Sequence, residues 1–574
     1  MKINWDLEKI INNQKFENYF EEVKKEILLI DEKLKVIEKE IGKSEFKDLI
    51  EWEENLAKKI NRLAYYPGLQ QEENQKNQEV LKRKSMVDNL LLEYSNKMRK
   101  FWFWLKGLDN GEIKGLSEEK ARILFEEVAD LKNVWWYLRE QAKHSLKANE
   151  EKIIDFKDMC GIGPLNDLRG MIEAEMEYKV GKKIIKSQAE VIKLIHSKKA
   201  RTRKEAYLGL FKAHQKEIDK LFLIYQAIVK NWKYEARERK YKNEIEMRNK
   251  GNWIENKTVD QLLDVCDKNR EVFQKFFKLK AKLLKTKKLN RFDLYAPTYQ
   301  ENKKYTLEEG IEIILTAFGK FDSRFEKVAR EIIEDNQIDY YPKKNKRNGA
   351  FCATVVPELK PFILMNWTGS LRDILTLAHE LGHGIHSVLA NKHYPMVQEA
   401  GLPLAETAST LTELIVFNEV IEKSENKKGL WVEKIGDIYA TVGRQAFFVM
   451  FEKQAFELID QGGGEKEISN LYLKELKKQF GKEVMIDSNF KYEWSYVSHF
   501  FNSPFYCYAY SFGELLALSL WNRQDKKMIF EILEAGGSDS IEKILKRAEI
   551  TTDLDFFKNG FKEIEKMIEK ASRL

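Results

Sequence analysis

The chain has 574 residues, of which 43% are hydrophobic and 33% charged. That apolar share can bury a large core, which excludes intrinsic disorder. Lys+Arg 99 against Asp+Glu 92 leaves +7 with the two signs interspersed, so no nucleic-acid partner is expected.

Only 9 prolines and 29 glycines punctuate the chain, a bias toward long helices. No apolar run reaches the roughly 18 residues of a membrane span, and the charged stretch Met1–Lys9 does not read as a signal peptide. The 4 cysteines, Cys160, Cys266, Cys352 and Cys507, form no Cys-x-x-Cys pair and fit a reducing compartment. A cytoplasmic protein without a membrane partner is expected.

Residues 1–115 read as an N-terminal helical region. Ile27, Ile30, Leu34 and Ile37 recur three and four apart, and a break is expected at Tyr66-Pro67-Gly68. Helical pattern resumes at about 117 and continues to about 340, with breaks at Gly161–Pro164 and Tyr295–Pro297. Residues 116–190 form a connecting region within it, and Lys198–Phe211 and Lys216–Lys233 read as amphipathic helices. After the basic turn Lys343–Gly349, the segments Ala350–Val356 and Pro361–Trp367 read as short strands separated by Pro357. Helical pattern returns after Gly369, where Thr368-Gly-Ser370 supplies a capping region. The cluster Gly462–Gly464 reads as a loop between helices, since no Lys-Ser/Thr follows to make a phosphate cradle.

Of 8 histidines, four fall between 379 and 393, and His379-Glu380-x-x-His383 stands among them. On a helix, positions i and i+4 share a face, so both imidazoles reach one metal ion. Glu380, beside the first ligand, is placed to take a proton from water. A catalytic zinc needs a third protein ligand. A metzincin-type histidine would fall at Leu389 and is absent. His386 lies near the same helix face but too far along the axis to complete the site, so a contact to a ligand residue or to substrate is expected of it, and His393 lies beyond the expected helix end. Carboxylates remain: spacing leaves Glu399 and Glu406 both open, with Glu406 favoured because it starts a second helical segment. Glu413, seven residues on, is placed to orient a ligand histidine.

Four segments then follow in order: Lys346–Cys352, Pro361–Trp367, Thr376–His386 and Ala405–Ser409. Together with Ser197–Tyr207 and Asp293–Pro297 they resemble the oligoendopeptidase F branch of the thimet-type (M3) zinc peptidases. The resemblance covers about 190 to the C-terminus firmly, so 191–574 is expected to be the catalytic region. It implies a mainly α, two-lobed fold with a deep central channel and a small β-sheet near the site. It also implies one Zn²⁺ held by His379, His383 and Glu406, and short unstructured peptides as substrates. The strand Phe362–Trp367 would offer a backbone edge to the peptide. In Ser495–Tyr510 the resemblance assigns His499, with Tyr506 and Tyr510, to substrate binding and oxyanion contact. Tyr506 and Tyr510 stand at i, i+4, so their hydroxyls are expected to share a helix face, whereas Tyr508 points elsewhere.

The expected activity is hydrolysis of internal peptide bonds. Two alternatives are a zinc carboxypeptidase, with Arg347 or Arg444 clamping the substrate carboxylate, and a non-catalytic peptide-binding protein.

Overall fold

The computed structural model describes residues 3–111, 113–298 and 303–574. It is mainly helical with three small sheets, and the chain forms two compact units, each drawn from three separate segments. The first comprises 1–145, 301–420 and 524–549; the second comprises 146–300, 421–523 and 550–574.

In the first unit, Phe46 anchors an aromatic core, its ring centroid 5.5 Å from Trp135, 6.2 Å from Trp104 and 6.4 Å from Phe125. The helix Lys43–Glu73 carries Phe46 and runs straight through Tyr66-Pro67-Gly68, so the expected break is absent. Proline removes one backbone donor there, but Leu63, Tyr66, Pro67 and Leu69 are all buried, and their packing holds the helix together.

A three-stranded sheet follows in this unit, built from β1 (Ile338–Asp339), β2 (Phe351–Ala353) and β3 (Phe362–Leu364) in the order β1-β3-β2. β3 is therefore the central strand. It pairs parallel with β1 (Ile338 opposite Ile363) and antiparallel with β2 (Cys352 opposite Ile363). The parallel ladder continues beyond it, since the N–H groups of Met365 and Trp367 donate to the carbonyls of Asp339 and Tyr340 at 2.8 Å. The expectation that Phe362–Trp367 is a free edge fails: both its sides are paired. The outer side of β1 is flanked by the N-terminal segment, where the Ile3 carbonyl accepts from the Tyr340 N–H at 3.1 Å. Among the described residues, the outer side of β2 has no strand partner.

The basic turn is electrically matched. Lys346 and Lys343 both pair with Asp339, at 3.1 and 3.0 Å, and Arg347 pairs with Glu72 at 2.9 Å. Two helices complete the relevant part of this unit, α1 (Leu371–Leu389) and α2 (Leu402–Glu422).

In the second unit, the two expected amphipathic helices are found as Ala200–Lys216 and Ile218–Glu238. The chain breaks at Gly161 between two helices, as the glycine and proline there foretell, and Gly462–Gly464 joins α3 (Arg444–Asp460) to the next helix. Arg203 donates to Asp293 at 2.6 Å, tying Ser197–Tyr207 to Asp293–Pro297. The core holds a buried ion pair, Arg291 to Glu493 at 2.7 Å, with Arg444 at 3.3 Å and the Tyr496 hydroxyl at 3.0 Å on the same Glu493 oxygen. The segment that follows ends in α4 (Tyr508–Arg523).

Candidate metal centre

α1 starts where its cap dictates. The Ser370 hydroxyl accepts from the Asp373 N–H at 3.2 Å, and the Asp373 carboxylate accepts from the N–H groups of Ser370 and Thr368 at 2.9 and 2.8 Å. This reciprocal cap fixes the helix phase. Two turns later it presents His379 and His383 on one face, ring centroids 5.1 Å apart.

α2 crosses α1 at close range because residue 382 is glycine. A Cβ there would lie 2.2 Å from Thr412 Oγ1, 2.7 Å from Ser409 Cα and 2.9 Å from the Ala408 carbonyl. The Thr412 hydroxyl lies 2.9 Å from the Ala378 carbonyl of α1, linking the helices at the same level. Gly382 and Thr412 were not singled out by sequence reasoning. The available signal was a glycine inside a strong helical pattern, which commonly marks close packing.

The crossing brings Glu406 Oε2 to 3.6 Å from His379 Nε2 and 3.8 Å from His383 Nε2. Among the described residues these three form the group of ligand atoms able to hold a metal, all within 4.8 Å of one another. Ligand bonds of about 2.0–2.1 Å in a tetrahedral site put ligand atoms roughly 3.4 Å apart. The set therefore fits one divalent ion with small adjustment. Two nitrogens and one carboxylate oxygen are also the donor chemistry of catalytic zinc. Ser409 Oγ lies 3.3 Å from Glu406 Oε2, on the carboxylate that completes the set. Glu399 lies elsewhere, hydrogen-bonded to Thr354.

Surrounding groups tune the rings. Glu413 Oε2 lies 3.5 Å from His379 Nδ1, on the far side from Glu406, as a residue orienting a ligand should. Burial alone would lower the His379 imidazole. The Glu413 hydrogen bond and the charges of Glu380, Glu413 and Glu406 outweigh it and hold His379 up at about 9. A cation binding there displaces that proton. Burial, with His379 and His386 nearby, depresses His383 to about 3, while the Ala405 carbonyl accepts its hydrogen bond. Glu380 is 7% exposed, and burial pushes its carboxyl up to about 7.

His386 is buried, its Nε2 finds no hydrogen-bond partner, and it stands outside the metal group. His393 is structural, 2.5 Å from Asp130 and 2.8 Å from the Glu534 carbonyl. Cys352 of β2 lies near the centre: burial, then the charges of Glu380 and Glu399, push its thiol up. β2 packs on α1, the helix that carries Glu380.

In the second unit, His499, Tyr506 and Tyr510 form one aromatic cluster. The His499 ring is stacked on Tyr506 at 5.8 Å and meets Tyr510 edge-on at 5.9 Å. Tyr506 and Tyr510 are 5.2 Å apart, but α4 begins at Tyr508, so Tyr506 belongs to the preceding turn. Phe505, with φ +59°, precedes it and interrupts the helix. Tyr508 is fully buried, its hydroxyl accepting from Asn252 at 2.8 Å. Burial, then the Arg444 charge, lowers the His499 imidazole, which keeps it neutral near pH 7. Arg347 and Arg444 are each already paired with a carboxylate, Glu72 and Glu493.

The sequence pattern of Peptidase family M3 matches residues 193–555. An oligoendopeptidase F homolog of Borreliella burgdorferi is 27% identical over 592 residues, covering 98% of each chain. The chromosomal oligoendopeptidase F of Lactococcus lactis subsp. cremoris is 24% identical, covering 100% of this chain and 98% of its own. The crystal structure of oligoendopeptidase-F from Enterococcus faecium shares the fold, with TM-score 0.71 at 20% identity over 97% of this chain and 98% of that one. Among the described residues no helix is long and apolar enough to cross a membrane.

Proposed function

The chain belongs to peptidase family M3, a family of metallopeptidases, and to its oligoendopeptidase F branch. From that premise we propose that it is a zinc endopeptidase cutting internal bonds of short, unstructured peptides, with His379, His383 and Glu406 as metal ligands. One observation carries the reading. α1 and α2 bring two imidazoles and one carboxylate together, and a buried carboxyl, Glu380, stands one residue from the first ligand.

Zinc held there supplies a Lewis acid, which lowers the pKa of water from near 16 toward about 7 and polarises a carbonyl. The Glu380 carboxylate takes the proton of the attacking water and delivers it to the nitrogen of the leaving amine. An extended peptide pairs along the unpaired side of β2, the strand that packs on the helix of Glu380, in the manner of an added strand. The family resemblance gives His499, with Tyr510 and Tyr506, the role of donating hydrogen bonds to the oxygen that gains charge in the transition state. A donor of this kind is worth about 3 kcal/mol of barrier.

The carboxypeptidase alternative requires an unengaged cation for the substrate carboxylate, and both arginines considered for it are paired.

The test is a mass-spectrometric digest of mixed peptides of graded length plus one folded protein, with wild type and Glu380→Gln in parallel. Internal cuts confined to short peptides, reduced roughly 10²- to 10⁴-fold in a variant that keeps its zinc, are expected. A Glu380→Gln enzyme of normal turnover refutes the mechanism. Single-residue trimming from C-termini refutes the endopeptidase reading.

A further inference from the structure

The turn before α4 is held in an unfavourable conformation by residues remote from it in sequence. Phe505 adopts φ +59°. That region is open to glycine and tolerable for asparagine, but for a bulky aromatic it is an outlier that persists only where the surroundings impose it.

Two elements impose it. On α3, Glu452 is fully buried, and its Oε1 accepts from the Phe505 N–H at 3.0 Å while Oε2 has no hydrogen-bond partner. On the helix Glu244–Gly251, Arg248 donates through Nε to the Pro504 carbonyl at 3.0 Å, its guanidinium lying over Trp232. Phe456 of α3 packs against the Phe505 ring with centroids 4.6 Å apart. Successive residues of the turn are thus gripped at a carbonyl, an N–H and a ring. The next residue is Tyr506, stacked on His499.

A half-satisfied buried carboxyl is a costly way to anchor one amide. Burial pushes Glu452 up to about 8, so at neutral pH it is largely the uncharged acid. A core position under no other demand would be filled by an apolar side chain. The expense and the strain converge on one backbone step, and that step sets where the Tyr506 ring points.

We propose that Glu452, assisted by Arg248, is a positioning residue that holds the strained Phe505 peptide and thereby orients the Tyr506 hydroxyl for the reaction. This rests on the role given to Tyr506 above.

Glu452→Met keeps the volume and removes the acceptor, whereas Glu452→Gln keeps an oxygen acceptor in place of the uncharged acid. Hydrogen exchange of the 503–508 segment, read by mass spectrometry on the zinc-loaded enzyme, is expected to speed up in Glu452→Met and to stay near wild type in Glu452→Gln. In parallel, kcat of Glu452→Met is expected to fall roughly 10- to 100-fold with KM little changed, and Glu452→Gln to restore most of it. Combined with Tyr506→Phe, Glu452→Met should cost almost nothing further, since both act through one hydroxyl. Unchanged exchange in Glu452→Met overturns the clamp itself. A kcat loss that multiplies with that of Tyr506→Phe overturns its action through Tyr506. Wild-type kcat in Tyr506→Phe refutes the role given to that tyrosine and with it the functional half of this proposal, and it is read on a protein whose clamp is intact.

Discussion

Gly382→Ala separates two opposed effects of similar size, so its sign is informative. In an open helix, Gly→Ala stabilises by about 1 kcal/mol. At 382 the new Cβ would sit 2.7 Å from Ser409 Cα and 2.9 Å from the Ala408 carbonyl, both backbone atoms that cannot rotate away. Carbon–carbon contacts prefer about 3.5–4.0 Å, so α1 and α2 must part by roughly 1 Å. Overpacking of that kind costs about 1–3 kcal/mol and outweighs the propensity gain. The same displacement carries Glu406 away from His379 and His383, which are already 3.6 and 3.8 Å from it. Zinc–ligand bonds vary by only a few tenths of an ångström, so zinc affinity falls as well. The assay is twofold: thermal unfolding of the metal-free protein, and zinc affinity by competition with a fluorescent chelator. Gly68→Ala is the control, since nothing lies within 4 Å of a Cβ at that helical site. The expected outcome is a lower melting temperature and weaker zinc binding for Gly382→Ala, with no loss for Gly68→Ala. A Gly382→Ala protein that is stabilised and binds zinc as wild type does would refute the close crossing as what assembles the site.

Other outcomes follow from the same geometry. Glu406→Ala should lose zinc on gel filtration while Glu399→Ala retains it, because Glu406 and not Glu399 stands within ligand distance of both imidazoles; the reverse pattern in metal analysis returns the third ligand to Glu399. Glu413→Ala should keep the site but weaken zinc binding by roughly 10- to 100-fold, and unchanged affinity would show that its contact with His379 Nδ1 does not orient the ring. His393 and Asp130 form a pair with opposite shifts. The Asp130 hydrogen bond, against burial, raises His393; burial opposes but the His393 and Tyr394 hydrogen bonds lower Asp130. The imidazole's contribution is complete below its unfolded pKa of about 6.5 and is lost as pH rises through the elevated folded value; the carboxylate's is complete above about 3.9 and is lost as pH falls. The stability difference between wild type and His393→Gln should therefore be widest between about pH 4 and 6.5 and narrow on both sides. An equal difference at pH 5.5 and pH 10 would refute the pairing.

What could be read from the sequence was local. His379-Glu380-x-x-His383 is a statement about one helix face, and Thr368-Gly-Ser370 is a statement about one helix end; both hold because each involves neighbours along the chain. The break expected at Pro67 fails because distant packing of Leu63, Tyr66 and Leu69 outweighs one missing donor. Tyr506 was assigned to a helix face because phenylalanine gives no warning of a left-handed residue, whereas glycine or asparagine would have. The buried acceptor that holds Phe505 comes from position 452, which no local pattern marks.

The error about the sheet edge and the ambiguity about the third ligand share one cause. Strand propensity identifies segments that can pair, but the edge is fixed by which partner arrives, and here a two-residue strand at 338–339 and the first residues of the chain occupy one side. Spacing likewise leaves Glu399 and Glu406 equivalent. What separates them is the approach of α2 to α1, and that approach depends on a missing side chain at 382 and a threonine hydroxyl at 412. The glycine was visible inside the motif all along, between Glu380 and His383. Its meaning lay in a backbone some thirty residues away, which only the fold brings against it.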